Sequence, residues 1–197
     1  MRQLQAVGGA ALTTQDPTQD RTEPGAPPRV RAGAVFGLVA IAIVAIDLVV
    51  KQWVTSSLAH GEPPVKLLGG LIYVIYTRNS GAAFSMLEDH TWIFPVIAIG
   101  VIGWLFWMIT RTRSTAWAVA LGLILGGAAG NLGDRLFRAP GPFRGHVVDM
   151  FSFLDDHAGH FAVFNIADSA LTVGVILAVL LEFSGLRRDG TRVKRDA

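Results

Sequence analysis

The chain has 197 residues, 51% of them hydrophobic and only 16% charged, with a mean hydropathy of +0.45, too apolar for an ordinary soluble domain and pointing to a small integral membrane protein. The absence of cysteine excludes disulfides, thiolate zinc sites and a cysteine nucleophile. The net charge of +2 is modest, and the basic residues gather at the two chain ends rather than along an aromatic-interleaved face, which argues against nucleic-acid binding.

Residues 1–30 are rich in Gln, Thr, Asp, Pro and Gly and read as a disordered cytoplasmic tail. No apolar core with a cleavage site precedes Ala32, so the first span, Ala32 to Val50, reads as an uncleaved signal anchor. Asp47 interrupts it, and Lys51 follows four residues later, one helical turn on, at ion-pair spacing. In the connection 51–90, Leu71 to Thr77 is rich in β-branched and aromatic residues after Gly69-Gly70 and reads as a strand, with Val65 to Leu68 as its partner. Arg78-Asn79-Ser80-Gly81-Ala82-Ala83-Phe84-Ser85 then reads as a tight turn. Trp53, Tyr73, Tyr76 and Trp92 suit an interfacial aromatic belt.

The second and third spans, Thr91 to Thr110 and Ser114 to Gly133, are joined only by Arg111-Thr112-Arg113 and form a helical hairpin with a basic tip. The third ends in Gly126-Gly127-Ala128-Ala129-Gly130-Asn131-Leu132-Gly133-Asp134-Arg135, whose small residues permit close helix packing. A second connection, 134–160, contains Val147-Val148-Asp149-Met150-Phe151. The fourth span, Phe161 to Leu181, carries Asp168 as its only formal charge, with Asn165 one turn earlier. A basic tail, 185–197, follows. Short basic flanks stay in the cytoplasm, so both termini and the 111–113 turn are expected inside, with 51–90 and 134–160 outside a four-span unit covering 31–184.

This topology brings Asp47, Asp134, Asp149 and Asp168 to one depth on the outer side. Two carboxyl groups sharing a proton can activate water with the ionised member while the neutral one polarises a carbonyl. Asp47 has Lys51 beside it and Asp134 has Arg135, which keeps those two ionised. Asp149 and Asp168 lack a sequence-adjacent cation and are the pair best placed to share a proton. His157 and His160 beside Asp155 and Asp156 make a poor metal motif, and no metal or other cofactor is expected.

Asp47-x-x-x-Lys51, Asn79-x-Gly81-Ala82-Ala83-Phe84, Gly127-x-x-Gly130-Asn131-x-x-Asp134-Arg135, Val147-Val148-Asp149 and Phe164-Asn165-x-Ala167-Asp168-Ser169 resemble, in order and topology, the bacterial lipoprotein signal peptidases, also called signal peptidase II. The resemblance implies an aspartic endopeptidase of the plasma membrane that removes the signal peptide of prolipoproteins just before a diacylglyceryl-modified cysteine. It implies a catalytic dyad of Asp149 and Asp168, with Asn131, Arg135 and Asn165 orienting dyad and substrate. Asn79 in its Asn79-x-Gly81 turn would contact the substrate backbone, and Asp47, Lys51 and Asp134 would hold the frame. It further implies a mainly α membrane fold of four transmembrane helices with a small extracytoplasmic sheet, the cradle, and a mobile outer helix. Prolipoproteins and membrane lipids are the implied partners, and globomycin the implied inhibitor. Met150, Ala162-Val163 and the Asp- and His-rich run 155–160 depart from the family pattern. The rival readings are a small proton-coupled carrier with Asp168 as its relay, which requires charges spread through the bilayer depth, and a non-catalytic chaperone of lipidated segments.

Overall fold

A computed structural model describes residues 29–59, 61–81, 91–156 and 161–193. Four helices, α1 (Arg29–Leu58), α2 (Ile93–Ile109), α3 (Thr115–Phe137) and α4 (Ile166–Phe183), carry a three-stranded antiparallel sheet of β1 (Val65–Leu67), β2 (Ile72–Asn79) and β3 (Val147–Phe153), in the order β1-β2-β3. Helices α1, α3 and α4 are long and apolar enough to cross a membrane, and α2 is a shorter apolar helix of 17 residues. Large apolar side chains such as Leu38, Val49, Trp104, Phe106, Ile176 and Leu180 face outward, as a lipid solvent allows. The molecule is a mainly helical membrane protein with a small sheet.

Helix α3 lies at the centre because its small residues let neighbours approach. A Cβ on Gly122 would meet Phe36 O of α1 at 2.8 Å, one on Gly126 would meet Ile43 Cβ at 2.6 Å, and one on Gly127 would collide with Ala167 O of α4. At the opposite end from the sheet, Phe36 and Ala40 of α1, Leu105 and Met108 of α2, and Leu121 and Leu125 of α3 form one apolar cluster. The second cluster joins Val54 and Leu58 of α1 to Val74, Val148 and Met150 of the sheet. At 30 residues, or about 45 Å, α1 exceeds the hydrocarbon thickness, and its last turns become the post on which the sheet rests.

Several boundaries differ from the sequence expectation. Helix α1 runs through Lys51 to Leu58 and α3 continues past Gly133 to Phe137, so Lys51, Asp134 and Arg135 are helical rather than parts of connections. The fourth helix starts at Ile166, not Phe161. The approach to it is extended, because Phe164 bridges Phe151 of β3 through Phe151 N to Phe164 O at 2.8 Å and Phe164 N to Phe151 O at 3.1 Å. The strand at 71–77 and its partner form as expected, but the third strand, Val147–Phe153, has no counterpart in the sequence reading. Of the expected tail 1–30, Arg29 and Val30 already belong to α1, whereas residues 1–28, Ala82, Ala83 and Phe84 of the expected turn, and His157 and His160 lie outside the described residues.

Candidate active site

Strands β2 and β3 and helices α1, α3 and α4 converge at the sheet end of the bundle. Strand β2 pairs with β3 in a register that sets Thr77 opposite Asp149 and Asn79 opposite Val147, with an irregularity between Val74 and Thr77 that re-aims the end of β2. Asn79 Nδ2 donates to Asp149 Oδ2 at 3.0 Å. Its Oδ1 accepts from Gly81 N at 2.7 Å, which fixes the amide's orientation. Gly81 holds φ +91, and a Cβ there would meet Phe94 Cε2 at 2.6 Å and the Arg135 guanidinium at 2.9 Å, so the turn needs glycine.

Asn165 is the N-cap of α4 and forms a capping box with Asp168: Asp168 N donates to Asn165 Oδ1 at 2.9 Å, and Asn165 N donates to Asp168 Oδ2 at 3.2 Å. Asp168 thus closes the first turn of α4, but its side chain uses only one carboxylate oxygen to do so. Asp168 Oδ1 accepts from Asn131 Nδ2 of α3 at 2.7 Å. The fully buried Asn165 amide donates in turn to Asp149 Oδ1 at 2.6 Å and to Asn131 Oδ1 at 3.1 Å. Three asparagines thus link the two carboxyl groups, and among the described residues neither is in a salt bridge.

The other two aspartates are held differently. Lys51, 1% exposed, places Nζ 2.7 Å from Asp47 Oδ2, 2.9 Å from Asp134 Oδ2 and 3.2 Å from Asn131 Oδ1, which uses all three ammonium protons. Asp47 Oδ1 accepts from Ala167 N at 3.0 Å, and Asp134 Oδ2 accepts from Val148 N at 3.2 Å. Those amides belong to the residues just before Asp168 and Asp149. Asp134 Oδ1 also accepts from Arg138 Nε at 2.5 Å. The Asp47–Lys51 pair matches the sequence expectation, whereas the pairing of Asp134 with Arg135 is corrected. Successive helical residues point about 100° apart, so Asp134 reaches Arg138 one turn on and Lys51 across the bundle. Arg135 instead stacks its guanidinium 4.9 Å from the Phe94 ring and donates to Ser80 O at 3.1 Å. Gly130 is part of the same packing, since a Cβ there would meet Asp47 Oδ2 at 2.8 Å.

Asp149 is 2% exposed, yet it lines a cavity of about 310 Å³ with Asn79, Asn131, Arg135 and Asp168 as its polar wall and Phe94, Ile97, Val101 and Leu171 among its apolar one. Burial pushes the Asp149 carboxyl up from 3.8 to about 6, with the Asp168 charge adding to the rise and the hydrogen bonds from Asn79 and Asn165 opposing it. A carboxyl group poised to hold a proton thus shares this cavity with a half-buried second carboxyl group. That arrangement can carry general acid–base chemistry on a bound carbonyl. No group of three or more His, Cys, Asp and Glu side chains able to hold a metal occurs among the described residues.

All ten residues singled out from the sequence lie in or against this site: Asp47, Lys51, Asn79, Gly81, Asn131, Asp134, Arg135, Asp149, Asn165 and Asp168. Arg138 and Phe94 escaped the sequence reading, although the spacing of Arg138 from Asp134 was signal enough for the first.

Residues 39–184 match the family model described as Signal peptidase (SPase) II. A lipoprotein signal peptidase of Mycobacterium avium is 45% identical over 184 residues, covering 92% of this chain and 97% of the relative. Proteins of the same name from Streptomyces griseus (44%, covering 90% and 92%) and Mycobacterium bovis (43%, covering 90% and 85%) are similar to a comparable degree. A solved structure described as a bacterial membrane enzyme, determined by the in meso method at 1.9 Å, superposes with a TM-score of 0.65 at 28% identity, covering 76% of this chain and 92% of the other.

Proposed function

The chain belongs to the signal peptidase II family, and from that premise we propose that it is a membrane aspartic endopeptidase cleaving the signal peptide of diacylglyceryl-modified prolipoproteins just before the lipidated cysteine. The observation that carries the chemistry is the pair of Asp149 and Asp168, held by asparagine amides rather than by salt bridges at the wall of one cavity.

In this reading the ionised Asp168 takes a proton from a water as its oxygen attacks the scissile carbonyl carbon, and the carbonyl oxygen receives the proton held by Asp149. The tetrahedral diol then collapses as the proton on Asp168 passes to the leaving nitrogen, and Asp149 takes back the hydroxyl proton, which restores the starting state. Asn131 and the Asn165 amide fix the direction of Asp168, and Asn79 and the Asn165 side chain fix that of Asp149. Arg135, flat against Phe94 above the cavity, orients the substrate backbone. The apolar wall of Ile97, Val101 and Leu171 receives the acyl chains, at roughly 0.8 kcal/mol per buried methylene. Globomycin would occupy the same cavity.

We place the protein in the bacterial plasma membrane with α2 as a fourth span. Its 17 residues reach about 25 Å, the short end of what a bilayer accepts. The basic flanks support both termini in the cytoplasm and the dyad near the outer face. Asp47, Lys51 and Asp134 cluster with the dyad at one end of the bundle rather than through its depth, which gives the carrier reading no support. Incubating the purified full chain with a diacylglyceryl-modified prolipoprotein should release the shortened product, while the same precursor with its cysteine replaced by serine stays intact. Equal cleavage of both, or of neither, would refute the proposal.

A further inference from the structure

At the end of the bundle away from the dyad, the chain after α4 turns back on itself. Leu186 bridges Arg192, Arg187 N donates to Thr191 O at 2.8 Å, and Val193 N donates to Gly185 O at 2.9 Å. Asp189 Oδ1 closes the turn by accepting from Thr191 N at 2.9 Å and Thr191 Oγ1 at 2.7 Å. This hairpin is fastened to the α2–α3 turn through its backbone. Arg113 N and Ser114 N donate to Arg188 O at 2.7 and 2.9 Å, and Trp117 Nε1 donates to Leu186 O at 2.7 Å.

Because docking consumes main-chain carbonyls, the side chains of Arg187, Arg188 and Arg192 stay exposed, beside exposed Arg111 and Arg113. Two of the guanidinium groups rest on rings, Arg111 at 4.7 Å from Trp107 and Arg188 at 5.6 Å from Trp117. Between the two segments lies a cavity of about 350 Å³ lined by Arg111, Glu182, Arg187, Arg188 and Asp189. Three exposed arginines meet two acids there, with Arg113 and Arg192 exposed nearby, and one of the acids, Asp189, is engaged in the turn. Fourteen residues of α4 separate Asp168 from Glu182 at this cavity, about 21 Å along the helix and most of one hydrocarbon thickness, and exposed Trp107 and Phe183 mark the same level.

We propose that this cavity binds the phosphate of an anionic phospholipid headgroup, clamped by Arg111, Arg187 and Arg188. Guanidinium forks match phosphate oxygens in pairs, and rings that hold two of them in place reduce the entropy lost on binding. The depth selects the source of the phosphate, because a lipid presents its headgroup at this level while its chains lie against the exposed Trp107 and Phe183. This assignment is independent of the peptidase reading and of which side of the membrane the cavity faces.

Trp107 and Trp117 report on the site. Fluorescence titration of the purified full chain in neutral detergent, with phosphatidylglycerol, phosphatidylcholine of the same chains, or inorganic phosphate, should show saturable binding of the first and binding at least about tenfold weaker of the other two. Arg187→Gln/Arg188→Gln should weaken phosphatidylglycerol binding about tenfold or more, whereas the charge-matched pair Arg113→Gln/Arg192→Gln should weaken it less than about threefold. Should the first pair fail to fold, Arg111→Gln alone should cost about fivefold. Equal losses in the two pairs, no loss on Arg111→Gln, or equal binding of phosphatidylcholine or free phosphate would overturn the proposal.

Discussion

Two pairs of aspartates sit within one small volume and are treated in opposite ways. Asp47 and Asp134 are closed off by Lys51, with Arg138 on the outer oxygen of Asp134, and each spends a remaining acceptor on the backbone amide leading into the other pair. Among the described residues, Asp149 and Asp168 receive hydrogen bonds from amides alone, and both face the cavity. The contrast teaches that the type of donor, more than depth or burial, sorts carboxylates into scaffold and chemistry. Cations fix ionisation, while neutral amides fix direction and leave the proton free to come and go.

The largest effect should come from removing the proton exchange itself. Asp149→Asn and Asp168→Asn should each reduce cleavage of a diacylglyceryl prolipoprotein by about 10³-fold or more. The double variant should be no worse than either single one, as for groups acting as a unit. Additive losses would break the idea of a shared proton.

Next in size is Lys51→Met, which leaves buried Asp47 without a cation and Asp134 with Arg138 alone, and should destabilise the fold by about 3–5 kcal/mol, read from detergent-solubilised thermal unfolding. A loss of activity without a loss of stability would move Lys51 from the scaffold to the chemistry.

Asn79→Ala sharpens the comparison from the other side. It deletes one donor to Asp149 and should lower kcat/KM about tenfold. Because that hydrogen bond favours the ionised form, its loss should also move the alkaline limb of the pH profile upward. A purely structural asparagine would change the rate and leave the limb where it was.

The smallest effect is on stability. The Asp149 carboxyl is raised from 3.8 to about 6 in the fold, so its ionisation opposes folding above about pH 6 and the penalty is relieved as pH falls through 6 towards 4. Between pH 7 and pH 5 this group should add about 1 kcal/mol of stability, a gain that Asp149→Asn abolishes.

Local chemistry in this molecule was legible and long-range closure was not. The spacing of Asp47 and Lys51 announced their ion pair, and the β-branched run after Gly69-Gly70 announced β2. The other partners of Lys51 lie about eighty residues away, at Asp134 and Asn131, and no spacing rule reaches them. Strand β3 was hidden because Val147 to Phe153 is buried on both faces for most of its length and shows no alternation of polar and apolar residues. The end of α1 was set at Val50 because counting apolar residues cannot see that Lys51 is neutralised within the bundle or that Val54 and Leu58 are covered by the sheet. Asp149 and Asp168 were recognisable by what their sequence neighbours lacked; the three asparagines that bind them together became visible only in three dimensions.

Asp168 holds two posts, closing the first turn of α4 and facing the cavity, and this narrows the routes by which the protein can evolve. Glutamate could still close the capping box, but its carboxylate, one methylene further out, would be displaced from the position that meets Asn131 at 2.7 Å. Asparagine could still cap the helix but not exchange a proton. Under the proposed mechanism, a small molecule anchored on that carboxylate would therefore address a position at which escape from the drug and retention of activity demand incompatible residues.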